Sequence, residues 1–173
     1  MPKTKSPSRT KKPSPELPQA DAERQLDSFL AKYSPDVEAF ARRALAKMRK
    51  LAPGAIEMVY DNFNWLVIGF SPSERPSEAI FSLVLPPGAV TLCFLQGAGL
   101  PDPAGLLRGS GKVVRNLRLY TSGEKDEKQL DNPAVCSLIN VALNRAKVPM
   151  PDKQRRKLII RAVAKRQHPR RPA

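Results

Sequence analysis

The side chain that most often serves as general base or metal ligand occurs once in this sequence, as His168, within a run of Pro and Arg. Ser-His-Asp, Cys-His and imidazole-based metal sites all need a ring held on a rigid scaffold. Residues 21–149 contain no imidazole. Most ordinary hydrolases and zinc enzymes are thereby excluded, and the sequence assigns no catalytic residue. Gly109-Ser110-Gly111-Lys112 invites a phosphate-loop reading. Counted back from Gly111-Lys112, however, the first glycine of that motif falls on Leu106, and Val113 stands where a magnesium-binding hydroxyl is needed. A weaker possibility survives: backbone N–H groups of a Gly-rich turn, with Arg108, Lys112 and Arg115 nearby, can hold a small anion. The plainer alternative is a loop whose glycines satisfy geometry and whose bases are solvated.

Tyr60-Asp61-Asn62-Phe63-Asn64-Trp65 is the densest polar and aromatic cluster. A turn of this composition at a sheet end could line a ligand pocket through Tyr60, Asp61, Asn62 and Asn64, or could equally be a hairpin turn flanked by core aromatics. Asp21, Glu23, Asp27, Asp36 and Glu38 lie on or before the first two expected helices. Oxygen ligands of this kind can bind iron or magnesium, but acids at helix starts ordinarily complement the dipole.

The formal net charge is +14, unevenly placed. Residues 1–20 contribute +4 and residues 150–173 contribute +8, against +2 for residues 21–149. Lys11, Lys12, Arg155, Arg156, Lys157, Lys165, Arg166, Arg170 and Arg171 are therefore expected to form basic arms. Such arms make weak, nonspecific contact with nucleic-acid phosphates. Few aromatics accompany them in sequence, so base stacking is not indicated; a solubilising tail is the alternative.

The elements that must position these residues follow from periodicity. Residues 1–20, rich in Pro, Ser and Lys, are expected to be disordered. Order begins near Asp21, where Ala22, Leu26, Phe29, Leu30 and Tyr33 recur at helical spacing. A second helix follows Ser34-Pro35, with Val37, Phe40, Ala41, Ala44, Leu45 and Met48 as its stripe, and Pro53-Gly54 stops it. Residues 57–60, 65–70, 79–85 and 89–95 read as strands, the last two joined by a tight turn at Pro86-Pro87-Gly88. Residues 104–107 are expected to form one helical turn, residues 112–120 a fifth strand, and Asp131 to cap a last helix. The expectation is an α+β domain over residues 21–149, with two N-terminal helices and one C-terminal helix on a mainly antiparallel five-stranded sheet. Residues 153–166 fit either a basic amphipathic helix or a strand. Ile159, Ile160 and Val163 tip the balance slightly to the strand, with disorder from Arg166 onward.

Cys93 and Cys136 are far apart in apolar contexts, which suggests buried free thiols and a reducing compartment. No apolar run approaches the length of a membrane span, and the basic start is not followed by an apolar stretch. A cytoplasmic location without membrane contact is expected.

Leu26-Asp27-Ser28-Phe29-Leu30, Glu57-Met58-Val59-Tyr60-Asp61, Ala79-Ile80-Phe81-Ser82-Leu83, residues 97–103 and residues 109–115 together resemble the bacterial YdhG-like family of domains of unknown function. The resemblance covers about residues 22–147 and implies helices packed on an antiparallel sheet. Some members are described as frataxin-like iron chaperones that carry Fe(II) through surface acids; no such ligand set maps residue by residue onto this sequence. Three functional expectations follow. One is a noncatalytic YdhG-like binding module handling iron. The second is nucleic-acid association through the tails. The third is an enzyme or sensor that binds a small anionic ligand through the Tyr60–Asn64 turn and Arg115.

Overall fold

Amphipathic spacing places two helices first. In the computed structural model, which describes residues 15–124 and 128–171, α1 spans Gln19–Leu30 and α2 spans Pro35–Leu51. α1 begins two residues ahead of Asp21, because the Pro18 carbonyl accepts the free N–H groups of Asp21 and Ala22 at 2.9 and 3.0 Å. Pro35 opens α2 with its φ already set and no N–H to satisfy. The expected disorder of residues 1–14 and the basic contacts at Lys11 and Lys12 lie outside the described residues.

Period-2 alternation builds the sheet. β1 (Ile56–Asp61), β2 (Leu66–Ser71), β3 (Phe81–Leu85), β4 (Ala89–Phe94) and β5 (Arg115–Thr121) run antiparallel as neighbours. Gly88 takes φ +77° between β3 and β4, and the Ala89 N–H donates to the Pro86 carbonyl at 3.2 Å, as the turn residues require. Val59, Leu66, Ile68, Phe70, Phe81, Leu83, Leu92 and Phe94 join the apolar stripes of the helices in one core. Ile56, Met58 and Ile159 face the other side, with Ala79.

Four expectations need correction. The sheet has six strands in the order β5-β4-β3-β2-β1-β6, and β6 (Lys157–Val163) runs parallel to β1. Residues 104–107 form no helical turn; the tight helical turn of this loop is Gly97–Gly99. α3 (Pro133–Asn144) is capped by Asn132, whose side chain accepts the Ala134 N–H at 2.9 Å, while Asp131 turns away to Lys47 at 3.0 Å. Pro133 decides between these two good capping residues, because it fits the first helical position. The fourth correction concerns the end of the chain. Ala164 N donates to the Asp61 carbonyl and His168 N to the Phe63 carbonyl, both at 2.8 Å, so residues after β6 pack along the β1–β2 hairpin. Among the described residues, no helix is long and apolar enough to cross a membrane.

Candidate functional site

In a strand, successive side chains point to opposite faces. Tyr60 and Asp61 therefore part company at the end of β1. Asp61 is fully buried on the helix side, where it accepts from Lys32 Nζ at 2.6 Å and Arg170 Nη2 at 2.8 Å. Arg170 is itself only 4 % exposed. It donates to the Asn62 carbonyl at 2.5 Å and lies 5.9 Å from the Tyr33 ring centre. Its Nε and Nη1 are buried without hydrogen-bond partners. Tyr33 donates its hydroxyl proton to the Leu85 carbonyl and accepts from Leu66 N, and burial pushes its phenol up to about 12. Asp61 is thus an anchor for the C-terminal segment, closed to an outside ligand. Asn62 and Asn64 stay exposed in the turn beyond it, and Tyr60 is half-buried.

The Gly-rich loop lies elsewhere. Arg115 on β5 is level with Phe94, Phe81, Phe70 and finally Glu57 on β1. Four strand spacings, roughly 19 Å, and most of the strand length separate it from the Tyr60–Asn64 turn. The two halves of the expected anion pocket do not meet. The guanidiniums also turn onto their own loop. Arg108 Nη1 donates to the Gly105 carbonyl at 2.8 Å, and Arg115 Nη1 donates to the Gly111 and Val114 carbonyls at 2.5 and 2.8 Å. Lys112 is exposed.

The C-terminal bases divide into two groups. Arg156 Nη1 donates to Glu23 at 2.7 Å and to the buried Glu57 at 3.2 Å, and Glu57 also takes both ends of Arg49 at 2.8 Å. In Glu23, burial raises the carboxyl pKa, but hydrogen bonds and charge from Arg156 and Arg49 outweigh it and hold the group below its ordinary value. Lys157 pairs with Glu16 and Glu74, and Arg171 donates to the Tyr33 carbonyl. Only Arg155, Lys165 and Arg166 of the expected contacts are exposed and without a protein partner among the described residues. The mobile arm expected here is largely a docked one.

Fe(II) requires converging oxygen, nitrogen or sulfur ligands. Among the described residues no three His, Cys, Asp or Glu side chains gather in that way. Glu23 and Glu57 are taken up by arginines, and Asp27 and Glu38 by Arg42. Asp36 accepts from Ser122 Oγ at 2.5 Å and Tyr120 Oη at 2.9 Å. The acids present do not fit a preformed iron site.

A feature the sequence reading missed is a cavity of about 390 Å³ at the far end of the sheet. Ala79 and Ile80 enter β3 beside it, Phe94 ends β4 against it, and Leu100 follows the Gly97–Gly99 turn. Ala142 in the last turn of α3 and Ala146 just beyond it present small side chains, leaving the space open. Arg145, Lys147, Gln96 and Glu78 form its polar rim. Arg145 Nη1 donates to the Gly99 carbonyl at 2.6 Å, which spans the mouth from α3 to the loop. Glu78 accepts from Ser73 Oγ at 2.5 Å and lies 3.5 Å from Arg75. The volume falls within the range of small-molecule sites, and an apolar floor with a few polar groups is their usual chemistry. The only local sign in the sequence was Arg145 and Lys147 directly after an alanine-bearing apolar helix. No protein-family model matches the chain, and no curated protein or solved structure matches it either.

Proposed function

We propose that this chain is a noncatalytic, YdhG-like binding module whose ligand is a small molecule with an apolar body and an anionic end. One observation carries the reading: the cavity joins an apolar floor (Ile80, Phe94, Leu100) to a rim where Arg145 and Lys147 outnumber Glu78. Apolar burial supplies affinity and the two cations select the charged end. The lining holds one hydroxyl, Ser77, and one carboxylate, Glu78, which is already engaged by Ser73 and Arg75; this favours binding over turnover. Within this reading the small anionic ligand expected from the sequence keeps its chemical class but changes its address, from the Tyr60–Asn64 turn and Arg115 to the end of α3.

The test uses 1-anilinonaphthalene-8-sulfonate, an amphipathic anion with a fluorescence that rises in apolar surroundings. Saturable binding to the full chain is expected. Ala146→Leu should weaken it by intruding on the apolar floor, and Lys147→Glu should weaken it by about tenfold or less, as an exposed rim charge does. Unfolding temperatures equal to that of the parent protein would establish that the cavity, not the fold, was changed. Unaltered dye binding in both variants would refute the proposal.

A further inference from the structure

The tip of the β1–β2 hairpin leaves two aromatic rings in water, with Phe63 48 % and Trp65 44 % exposed. These rings are held, not loose. The Asn62 N–H donates to the Trp65 carbonyl at 3.1 Å, closing the turn. His168 N donates to the Phe63 carbonyl, and its ring stands 4.5 Å from that of Phe63, tilted by 59°. The returning C-terminal segment therefore fixes the tip and brings the exposed Lys165 and Arg166 beside it. The exposed amides of Asn62 and Asn64 alternate with the rings. The two segments that build the tip carry no acid. From Asn62 to Ser73, and from Lys153 onward, the sequence has no Asp or Glu. Asp61, at the end of β1, is buried against Lys32 and Arg170.

We infer that this corner is a platform for single-stranded nucleic acid. Phe63 and Trp65 offer faces on which unpaired bases stack, Lys165 and Arg166 meet the phosphates, and the two amides can reach base edges. Stacking on aromatic faces with phosphate neutralisation is the general means of holding single strands without sequence selection. A duplex keeps its bases paired and offers these rings nothing. An anionic membrane is the other surface that attracts aromatics and bases. It is disfavoured because Asn62 and Asn64 interrupt the rings, where insertion needs a continuous apolar wedge. The platform lies at the opposite end of the sheet from the Ile80–Phe94 cavity and does not depend on it.

Trp65 is the only tryptophan in the chain, so its emission reports on the site directly. Titrating the full chain with oligothymidylate or oligouridylate of about 16 nucleotides should quench that emission. By anisotropy of the labelled strand, Phe63→Ala and Trp65→Ala should each weaken binding by at least about fivefold, while Trp65→Phe should retain most of it. Lys165→Gln with Arg166→Gln should reduce the slope of log affinity against log salt by about 1.4. All four side chains are exposed, and a thermal melt of each variant would verify an intact fold. The inference is overturned if no strand binds, if the alanine variants bind as the parent does, or if a duplex competes equally. Blue-shifted Trp65 emission with phosphatidylglycerol vesicles, in the absence of strand binding, would overturn it in favour of a membrane surface.

Discussion

The docking of Arg170 makes an asymmetric prediction about stability. Asp61→Asn removes the only carboxylate from a guanidinium that is 4 % exposed. Breaking a buried pair in this way costs about 3–5 kcal/mol, because the remaining charge is uncompensated. Arg170→Met is different, although it breaks the same bond. Asp61 keeps Lys32 at 2.6 Å. The substitution also removes two buried nitrogens, Nε and Nη1, that have no partner, each of which costs about 1–3 kcal/mol in the parent. Methionine preserves apolar volume over the Tyr33 ring, at the loss of a cation–π contact of about 0.5–2 kcal/mol. The opposing terms nearly cancel, so Arg170→Met should lie within about 1–2 kcal/mol of the parent. The double variant should be more stable than Asp61→Asn alone. Urea unfolding of the full chain at neutral pH, with a check that the m-value is unchanged, measures all three. An Arg170→Met loss equal to that of Asp61→Asn, or strict additivity in the double variant, would refute the reasoning, and no loss from either substitution would return the C-terminal segment to the free arm first expected.

Three further outcomes follow from the packing. A Cβ at Gly54 would run into the Pro151 carbonyl, a backbone atom that cannot swing aside, so Gly54→Ala should destabilise by about 1–3 kcal/mol, visible as a lower urea midpoint. Hydrogen bonds from Ser122 and Tyr120 hold the Asp36 carboxyl far below its ordinary value. Because the folded pKa is depressed, its stabilisation is present above the unfolded pKa and is lost as pH falls through the carboxylate range toward the folded one. Asp36→Asn should accordingly destabilise at pH 7 and cease to matter in strong acid, as read from thermal melts across pH. Burial raises the Cys93 thiol from 9.0 to about 11; alkylation of Cys93 near pH 8, followed by mass spectrometry, should be about a hundredfold slower in the folded chain than in urea.

What was legible in the sequence was local. Pro86-Pro87-Gly88 carries its own geometry, and the stripes of α1 and α2 are set by a 3.6-residue period that no distant contact needs to complete. What was illegible depends on distant partners. β6 contains the right β-branched residues, but nothing within it says that Leu158 will sit level with Glu57 and Val163 level with Asp61. The candidate ligand turn failed in part for a simple reason: Tyr60 and Asp61 are neighbours in sequence and face opposite sides of the sheet. The Ile80–Phe94 cavity is assembled from three separate segments spread over residues 77–148, so only the cations that follow α3 hinted at it.

The charge count misled in a way that explains the architecture. Both buried carboxylates of β1, Glu57 and Asp61, lie on the helix-facing side of the strand. Each is neutralised partly by a base arriving from beyond residue 150: Arg156 for Glu57, Arg170 for Asp61. β6 runs between those two bases and pairs with the strand that carries both acids. Ladder hydrogen bonds alone would allow β6 to slip along β1, since a strand edge offers repeating donors and acceptors. A slip of two residues would preserve which faces are apolar but would carry both arginines off their carboxylates, leaving two buried charges uncompensated. The two ion pairs, one at each end, therefore specify the register of the parallel strand. The same docking carries Lys165 and Arg166 along the hairpin end, between Ala164 on the Asp61 carbonyl and His168 on the Phe63 carbonyl. The positive charge of the C-terminal segment is thus divided between an inner set that locks the sixth strand and an exposed set, of which Lys165 and Arg166 lie on the segment that packs along the hairpin.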